Sequence, residues 1–185
     1  MRLRVIVPLM LATALAVGAC GSSGSTAKPG STKAGSTPST FQPASAVPSK
    51  SAKMVCSEEA QEDMASALGL HATRVTKPTW RDHTYSCTWI YPKGSFVLSV
   101  KELVSAETTI DFFDASKKRL GAAQNLFGLG DGAFIAKNND VVVRKDYKVL
   151  LVDVKNIPAN FVPAMTRPDV ATNIAAVIMS CWVGA

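Results

Sequence analysis

The stretch "TYSCTWIYPKGSFVLSVKEL", residues 84–103, decides the fold that this sequence predicts. Two runs rich in aromatic, aliphatic and β-branched residues, 84–91 and 95–103, are typical of strands. Between them, Pro92, Lys93 and Gly94 are typical of a turn. We therefore predict two antiparallel strands joined by this turn.

Weaker and shorter strand patterns lie on both sides of this pair. Residues 72–77 are a weak strand candidate, and three short apolar runs follow at about 133–137, 141–145 and 149–154. The segments "KNND" and "KDYK" separate the last three runs and are typical of turns. We expect the three runs to form an antiparallel meander.

Three amphipathic segments predict helices, and each begins with a residue that caps helix N-termini. Ser57 precedes a helix that ends near Leu68, Ser105 precedes one over about 106–120, and Thr166 precedes the last. The order α-β-β-β-α-β-β-β-α predicts an α+β domain. We expect an antiparallel sheet of five to six strands with three helices packed on one face.

The first 20 residues have the layout of an export signal. Arg2 and Arg4 precede an apolar run, and small residues then lead to Cys20. The run of about 13 residues is shorter than the roughly 20 that a membrane-spanning helix needs. Val17-Gly18-Ala19-Cys20 resembles a bacterial lipobox, in which diacylglycerol is attached to the cysteine. We predict a lipoprotein signal peptide at 1–19, a lipidated Cys20 and an extracytoplasmic, membrane-anchored protein. The alternative is an ordinary signal peptide with an incidental cysteine.

The next segment has the composition of a linker. Residues 20–53 are almost entirely Gly, Ser, Thr, Ala, Pro and Lys, with Phe41 and Val47 as the bulky apolar residues. Such a segment buries too little apolar surface to offset its ordering entropy. We predict a flexible linker over 20–53 and a globular domain over 54–185.

The net charge of +6 comes from the residues before the domain. Six of the 20 basic residues and none of the 14 acidic residues precede residue 54, so the domain is formally neutral. Nothing in it forms the basic stripe that nucleic-acid binding requires. We expect the membrane, not a nucleic acid, as a partner.

Three cysteines remain after Cys20, in a compartment that permits disulfides. An odd number allows one intramolecular bond and leaves one cysteine outside it. We favour Cys56–Cys87, because Cys181 lies on the apolar stripe of the last helix. No Cys/His cluster predicts a metal site, and we expect no cofactor.

The chain also resembles a known family. It has a lipobox, a low-complexity spacer and a cysteine, Cys56, that opens a helix. Ser86-Cys87-Thr88-Trp89 and the loop 128–134, "GLGDGAF", follow. This is similar to actinobacterial lipoproteins grouped as a domain of unknown function, the DUF3558 type, and more distantly to the extracellular sensor domain of mycobacterial serine/threonine kinases. The resemblance covers about 54–185. It implies an envelope lipoprotein with its first two cysteines paired and no established reaction.

Candidate catalytic groups are few. His71 and His83 are the histidines, and His83 lies beside Asp82 and three residues before Ser86. A Ser/His/Asp site needs residues that converge in space, which neighbours on one exposed turn seldom do. The loop "GLGDG" lacks the lysine and the helix of a phosphate-binding loop. We therefore predict no catalytic residues, with a hydrolase as the minor alternative.

Two non-enzymatic functions remain. One is an interaction module that senses or presents something at the cell wall or docks on another envelope protein. The other is a carrier of a lipid or small apolar ligand in a pocket between sheet and helices. The large aromatic residues are candidates to line such a pocket, although residues of this kind more often belong to an ordinary core: Trp80, Trp89, Phe96 and Phe113, with Phe112 and Trp182 beside them.

Overall fold

The structure is a computed structural model that describes residues 45–182. The predicted signal peptide 1–19, Cys20 and the linker before residue 45 lie outside the described residues, so those predictions stay predictions. Within the described residues the fold is α+β, as predicted, with an antiparallel sheet.

The sheet has eight strands: β1 (Arg74–Val75), β2 (Thr79–Arg81), β3 (Thr84–Tyr91), β4 (Gly94–Glu102), β5 (Ala122–Leu126), β6 (Gly132–Ala136), β7 (Val141–Lys145) and β8 (Lys148–Asp153). Their order is β1-β3-β4-β8-β7-β6-β5, and β2 pairs with β3 beside β1. The predicted pair 84–103 is confirmed as β3 and β4, in which Cys87 lies opposite Leu98 and Tyr91 opposite Gly94. The predicted meander is confirmed as β6, β7 and β8.

Four helices pack on the sheet: α1 (Lys50–Met54), α2 (Glu58–Leu68), α3 (Ala106–Leu120) and α4 (Arg167–Cys181). The predicted caps Ser57, Ser105 and Thr166 each accept a hydrogen bond from a backbone N–H of the first turn. Such a bond satisfies a donor that has no partner inside the helix. Gly69, at φ 64°, ends α2 in the left-handed conformation that glycine adopts readily.

The strand and helix numbers were underestimated. The sequence predicts five to six strands and three helices, whereas the structure has eight strands and four helices within residues 45–182. Strand β2 was missed because Asp82 and His83 both adopt positive φ, which closes a tight hairpin without the glycine that marks one. Strand β5 was missed because its residues are mostly exposed and polar or small. Helix α1 lies across the end of the predicted linker, and its Ser51 and Ala52 are buried.

The helices lie on both faces of the sheet, which corrects the expectation of a single covered face. Strand β7 explains why: Val141 and Val143 belong to the main core with α1, α2 and α4, whereas Val142 belongs to a second core with α3. Successive side chains of a strand point to opposite faces, so the unbroken run "VVV" indicates burial on both sides. Strand β8 alternates in the same way, with Leu150 in the main core and Val149 in the second.

The first residues that the structure describes are attached to the domain by three hydrogen bonds. Trp80 Nε1 donates to the Ala46 carbonyl oxygen at 2.9 Å. The Ser49 amide donates to a carboxylate oxygen of Glu102 at 3.0 Å, and Trp182 Nε1 donates to the Ser51 carbonyl oxygen at 3.0 Å. The domain therefore begins structurally a few residues before the predicted boundary at residue 54.

The disulfide prediction is confirmed: Cys56 and Cys87 are joined, with their Cα atoms 6.1 Å apart. The bond connects the start of α2 to β3, where Cys87 is buried in the main core. Cys181 is buried in α4, as its place on the apolar stripe predicts, and its thiol donates to Asp63 Oδ2 at 3.3 Å. This contact links α4 to α2.

Candidate ligand-binding site

A cleft opens between α3 and the face of the sheet that α3 covers. Helix α3 packs over β6, β7 and β8 through Phe113, which meets Phe134 at a ring-centroid distance of 5.4 Å. Towards β4 and β3, this face carries small polar residues in place of core side chains. A cavity of about 170 Å³ remains there. We name it the α3 cleft and define it by the residues that line it: Thr84, Ser99, Lys101, Phe112, Ser116, Arg119, Leu120, Val142, Val149 and Leu151.

The floor of the α3 cleft is apolar. Val142 comes from β7, and Val149 and Leu151 come from β8 at alternate positions, so all three point to the same face of the sheet. Phe112 and Leu120 of α3 add an aromatic and an aliphatic wall. These side chains favour an apolar group as the occupant.

Three hydroxyl groups form part of the wall. The Ser116 hydroxyl donates to the Phe112 carbonyl oxygen one turn earlier at 2.9 Å, and the Thr84 hydroxyl donates to the Asp82 carbonyl oxygen at 3.3 Å. The Ser99 hydroxyl makes no hydrogen bond to any described residue. Ser99 therefore retains its capacity to donate a hydrogen bond to a ligand.

Among the described residues, two cations and no carboxylate line the cleft. The Lys101 ammonium, on β4, donates to the Asp82 carbonyl oxygen and is thereby held next to the β2–β3 turn. Arg119 is exposed on the last turn of α3, and no acidic side chain of the described residues forms an ion pair with it. Neither charge is neutralised by a carboxylate in the wall of the cleft.

The negative end of the α3 helix dipole lies near Arg119 but does not cancel its positive charge. A helix C-terminus carries roughly half an elementary negative charge. The last turn of α3 contains Lys117, Lys118 and Arg119, which together outweigh it. Lys117 lies over the Phe113 ring, 4.9 Å from its centroid, and does not line the cleft. The end of α3 beside the cleft is therefore positive.

The aromatic residues proposed to line a pocket lie in three different places. Trp89 and Phe96 are fully buried in the main core, where their rings stack at 5.7 Å and Trp89 Nε1 donates to the Val55 carbonyl oxygen. Phe113 is in the second core, and Trp80 is on the sheet edge beside Ala46. The structure does not bring these four together.

Of the wider aromatic set, Phe112 lines the α3 cleft, and Trp182 is buried against Ser51. The residues that sequence reasoning missed are Thr84, Ser99, Lys101 and Arg119. Their signal was the alternation in β4, in which Phe96, Leu98 and Val100 are buried and Ser95, Ser99 and Lys101 are not. Helices cover both faces of this sheet, so both faces of a strand are expected to be apolar. A strand with one polar face therefore indicates a gap in the packing.

The residues discussed as a hydrolase do not form a hydrogen-bonded triad within the described chain. Asp82 and His83 are the two turn residues between β2 and β3, with φ 48° and 53°. The His83 ring packs edge-on against Trp80 at 5.8 Å, and its imidazole makes no hydrogen bond to Asp82 or Ser86 in residues 45–182. Ser86 lies two residues beyond Thr84 on β3.

The loop "GLGDG" enters β6, as expected for a turn before a strand. Gly128 and Gly130 adopt positive φ, and the Asp131 amide donates to the Arg144 carbonyl oxygen at 2.7 Å. The Asp131 carboxylate accepts a hydrogen bond from the Asp146 amide at 2.8 Å. The loop is thus attached to the β7–β8 turn, and its acid is used in that contact.

A second, more open depression lies along α2 and is lined by Gln61, Glu62, Ala65, Ser66, His71 and Ala72. Its apolar side chains are limited to Ala65 and Ala72, and the other side chains that line it are polar. Among the described residues, no group of three or more His, Cys, Asp or Glu side chains is placed to hold a metal ion. Between residues 45 and 182, no helix is long and apolar enough to cross a bilayer.

Two buried side chains, Tyr91 and Asp140, have raised pKa values. Burial raises the pKa of Tyr91 to about 12, and its hydroxyl has no hydrogen-bond partner among the described residues. Burial also raises the pKa of Asp140, whose carboxylate accepts from the Val154 amide at 3.0 Å and from Asn138 Nδ2 at 2.6 Å. Asp140 joins the β6–β7 turn to the end of β8, which is a structural role.

Comparison with protein-family models, with curated proteins and with solved structures gives no match to this chain. The resemblance to lipoproteins of the DUF3558 type therefore stays a prediction.

Proposed function

We propose that the chain is a membrane-anchored extracytoplasmic lipoprotein that acts as a non-enzymatic binding module, and that its binding site is the α3 cleft. Diacylglycerol on Cys20 is the proposed anchor, in line with the basic start, apolar run and lipobox pattern of the sequence. The binding role rests on one observation above all: the cleft combines an apolar floor with two cations that form no ion pair, and a hydroxyl that makes no hydrogen bond, within residues 45–182.

The size of the cleft supports a small ligand. Ligand pockets commonly measure about 300–1,000 Å³, and a cavity of about 150 Å³ accommodates one benzene molecule. At about 170 Å³ the α3 cleft has room for one ring or a short aliphatic group. A long acyl chain exceeds this space.

A carrier of a small apolar ligand is the second candidate, and the same cleft favours it. The two functions differ in how firmly the ligand is retained. Native mass spectrometry of the chain purified from its own membrane separates them. A retained ligand mass favours the carrier, and the mass of the chain alone favours the reversible binding module.

Benzene tests the cleft without any assumption about charge. In methyl NMR spectra of the full chain in detergent, benzene should shift the methyl signals of Val142, Val149 and Leu151. Ser116 is buried and lines the cleft, so Ser116→Leu should fill the space and abolish the shifts. Ala115→Leu is the matched control, because Ala115 is exposed on the same helix and outside the cleft. Unchanged methyl signals in the folded wild-type chain would refute the α3 cleft as the binding site.

A further inference from the structure

We propose that the ligand of the α3 cleft is a small amphipathic carboxylate, whose apolar body lies on Val142, Val149 and Leu151 and whose carboxylate binds Arg119 and Lys101 at the rim. This inference rests on the proposed function, because it names the chemistry of the ligand at that same site.

The first argument for a carboxylate is the charge of the residues that line the α3 cleft. Of the ten residues in the described part of the chain that line the cleft, two are cations and none is an anion. Arg119 has no ion pair among the described residues. Lys101 donates one of its three ammonium hydrogens to the Asp82 carbonyl oxygen, so two remain for a ligand. A carboxylate in the cleft meets two unneutralised positive charges, whereas a cationic ligand meets repulsion.

The geometry of the donors favours a carboxylate over a neutral polar group. A guanidinium presents parallel N–H donors that match the two oxygens of a carboxylate. Lys101 and Ser99 lie two residues apart on β4 and therefore point to the same face of the sheet. An ammonium and a hydroxyl are thus available beside each other, and both donate to an anion.

The apolar floor of the cleft determines the chemistry of the rest of the ligand. Val142 and Val149 are buried and Leu151 is partly buried, so they offer a ligand apolar contact and no hydrogen-bond partner. A purely polar anion would gain nothing from this floor, and an uncharged apolar molecule would leave both cations without an anionic partner. A ligand with one carboxylate and one ring or short aliphatic group satisfies both parts of the site. The space of about 170 Å³ limits the apolar part to about the size of benzene.

Benzoate and benzamide, which have the same shape and differ in charge, test this inference. With the full chain in detergent, methyl NMR titrations at low salt should give benzoate about tenfold tighter binding than benzamide. That ratio corresponds to roughly one charge-assisted hydrogen bond. Added salt should reduce the ratio, because the rim is exposed to solvent.

Arg119→Gln should lower the ratio of benzoate affinity to benzamide affinity, and Lys101→Gln should lower it in the same direction. Lys118→Gln is the control, since Lys118 neighbours Arg119 but does not line the cleft. Equal affinities of the two probes for the wild-type chain, or an unchanged ratio in Arg119→Gln, would overturn the carboxylate assignment while the α3 cleft stands as a binding site. Failure of both probes, and of benzene, to shift the cleft methyls would instead refute the proposed function itself.

Discussion

Removal of the Cys56–Cys87 bond should destabilise the domain substantially without unfolding it. The bond closes a loop between residues 31 positions apart, and this loop contains α2, β1 and β2. In the chain-entropy treatment, a loop of this length corresponds to roughly 3.5 kcal/mol of stabilisation, through restriction of the unfolded chain. Domains are typically stable by about 5–15 kcal/mol, so the variant Cys56→Ala/Cys87→Ala should still fold.

Urea unfolding followed by tryptophan fluorescence measures this loss. Besides a free energy of unfolding lower by roughly 3.5 kcal/mol, the double variant should show a larger dependence on urea, because its unfolded chain is less compact. For a domain of this size the melting temperature should fall by roughly 10–15 °C.

Cys181→Ala is the control, because Cys181 is buried but takes no part in the bond. We expect it to lose about 1 kcal/mol, as is typical of a single substitution. The role assigned to the disulfide would be refuted if the double variant lost less than about 1 kcal/mol of unfolding free energy. It would also be refuted if Cys181→Ala lost more unfolding free energy than the double variant.

Three further predictions concern the anchor, a buried acid and the turn histidine. Cys20→Ala should move the protein from the membrane fraction to the medium or leave an unprocessed precursor; normal processing with membrane retention would contradict lipidation. Because burial raises the pKa of Asp140 above 3.8, the folded state binds this proton more tightly than the unfolded state. The stability that it contributes is therefore present at low pH and lost as pH rises through the raised pKa. Asp140→Asn should remove that part of the pH profile of unfolding, and an unchanged profile would contradict the assignment. Glycine adopts positive φ readily, so His83→Gly should keep the turn between β2 and β3. The free energy of unfolding should change by less than about 1 kcal/mol, and benzoate binding should persist. A folded variant that behaves in the cell like a deletion of the gene would favour the hydrolase alternative.

Local signals in the sequence were sufficient for much of the fold. The pair of strands over 84–103, the meander and the caps Ser57, Ser105 and Thr166 each depend on residues that are close in sequence. The cysteine pairing followed from counting and from the apolar stripe that holds Cys181. For the strands and the caps, one short segment contains the physical cause, whereas the cysteine pairing depends on three separate positions.

The side of the sheet that each helix covers could not be predicted in the same way. The unbroken run Val141–Val143 contains the necessary signal, since it indicates burial on both faces, but it does not say which helix covers which face. Strand β5 has little apolar content and forms because β6 offers it an edge to pair with. The coverage of the two faces depends on contacts between distant segments, and β5 depends on pairing with a neighbouring strand and not on its own apolar content.

The α3 cleft was also beyond prediction from the sequence. Its lining comes from β3, β4, α3, β7 and β8, so no single segment shows the combination of an apolar floor and cations. The large aromatic residues were the visible candidates, but Trp89 and Phe96 fill the main core. What distinguishes the site is a gap between packed elements, which a sequence does not display.

The most direct test of a ligand in the α3 cleft is measurement of intermolecular nuclear Overhauser effects between benzoate ring protons and valine and leucine methyl groups of the full chain. Strands β7 and β8 supply their own control, because Val142 and Val149 face the cleft while Val141 and Leu150 face the main core. We predict contacts from benzoate to the methyl groups of Val142, Val149 and Leu151, and none to those of Val141 and Leu150. Contacts to the main-core methyl groups, or none to either set in a folded chain, would contradict a binding site in the α3 cleft.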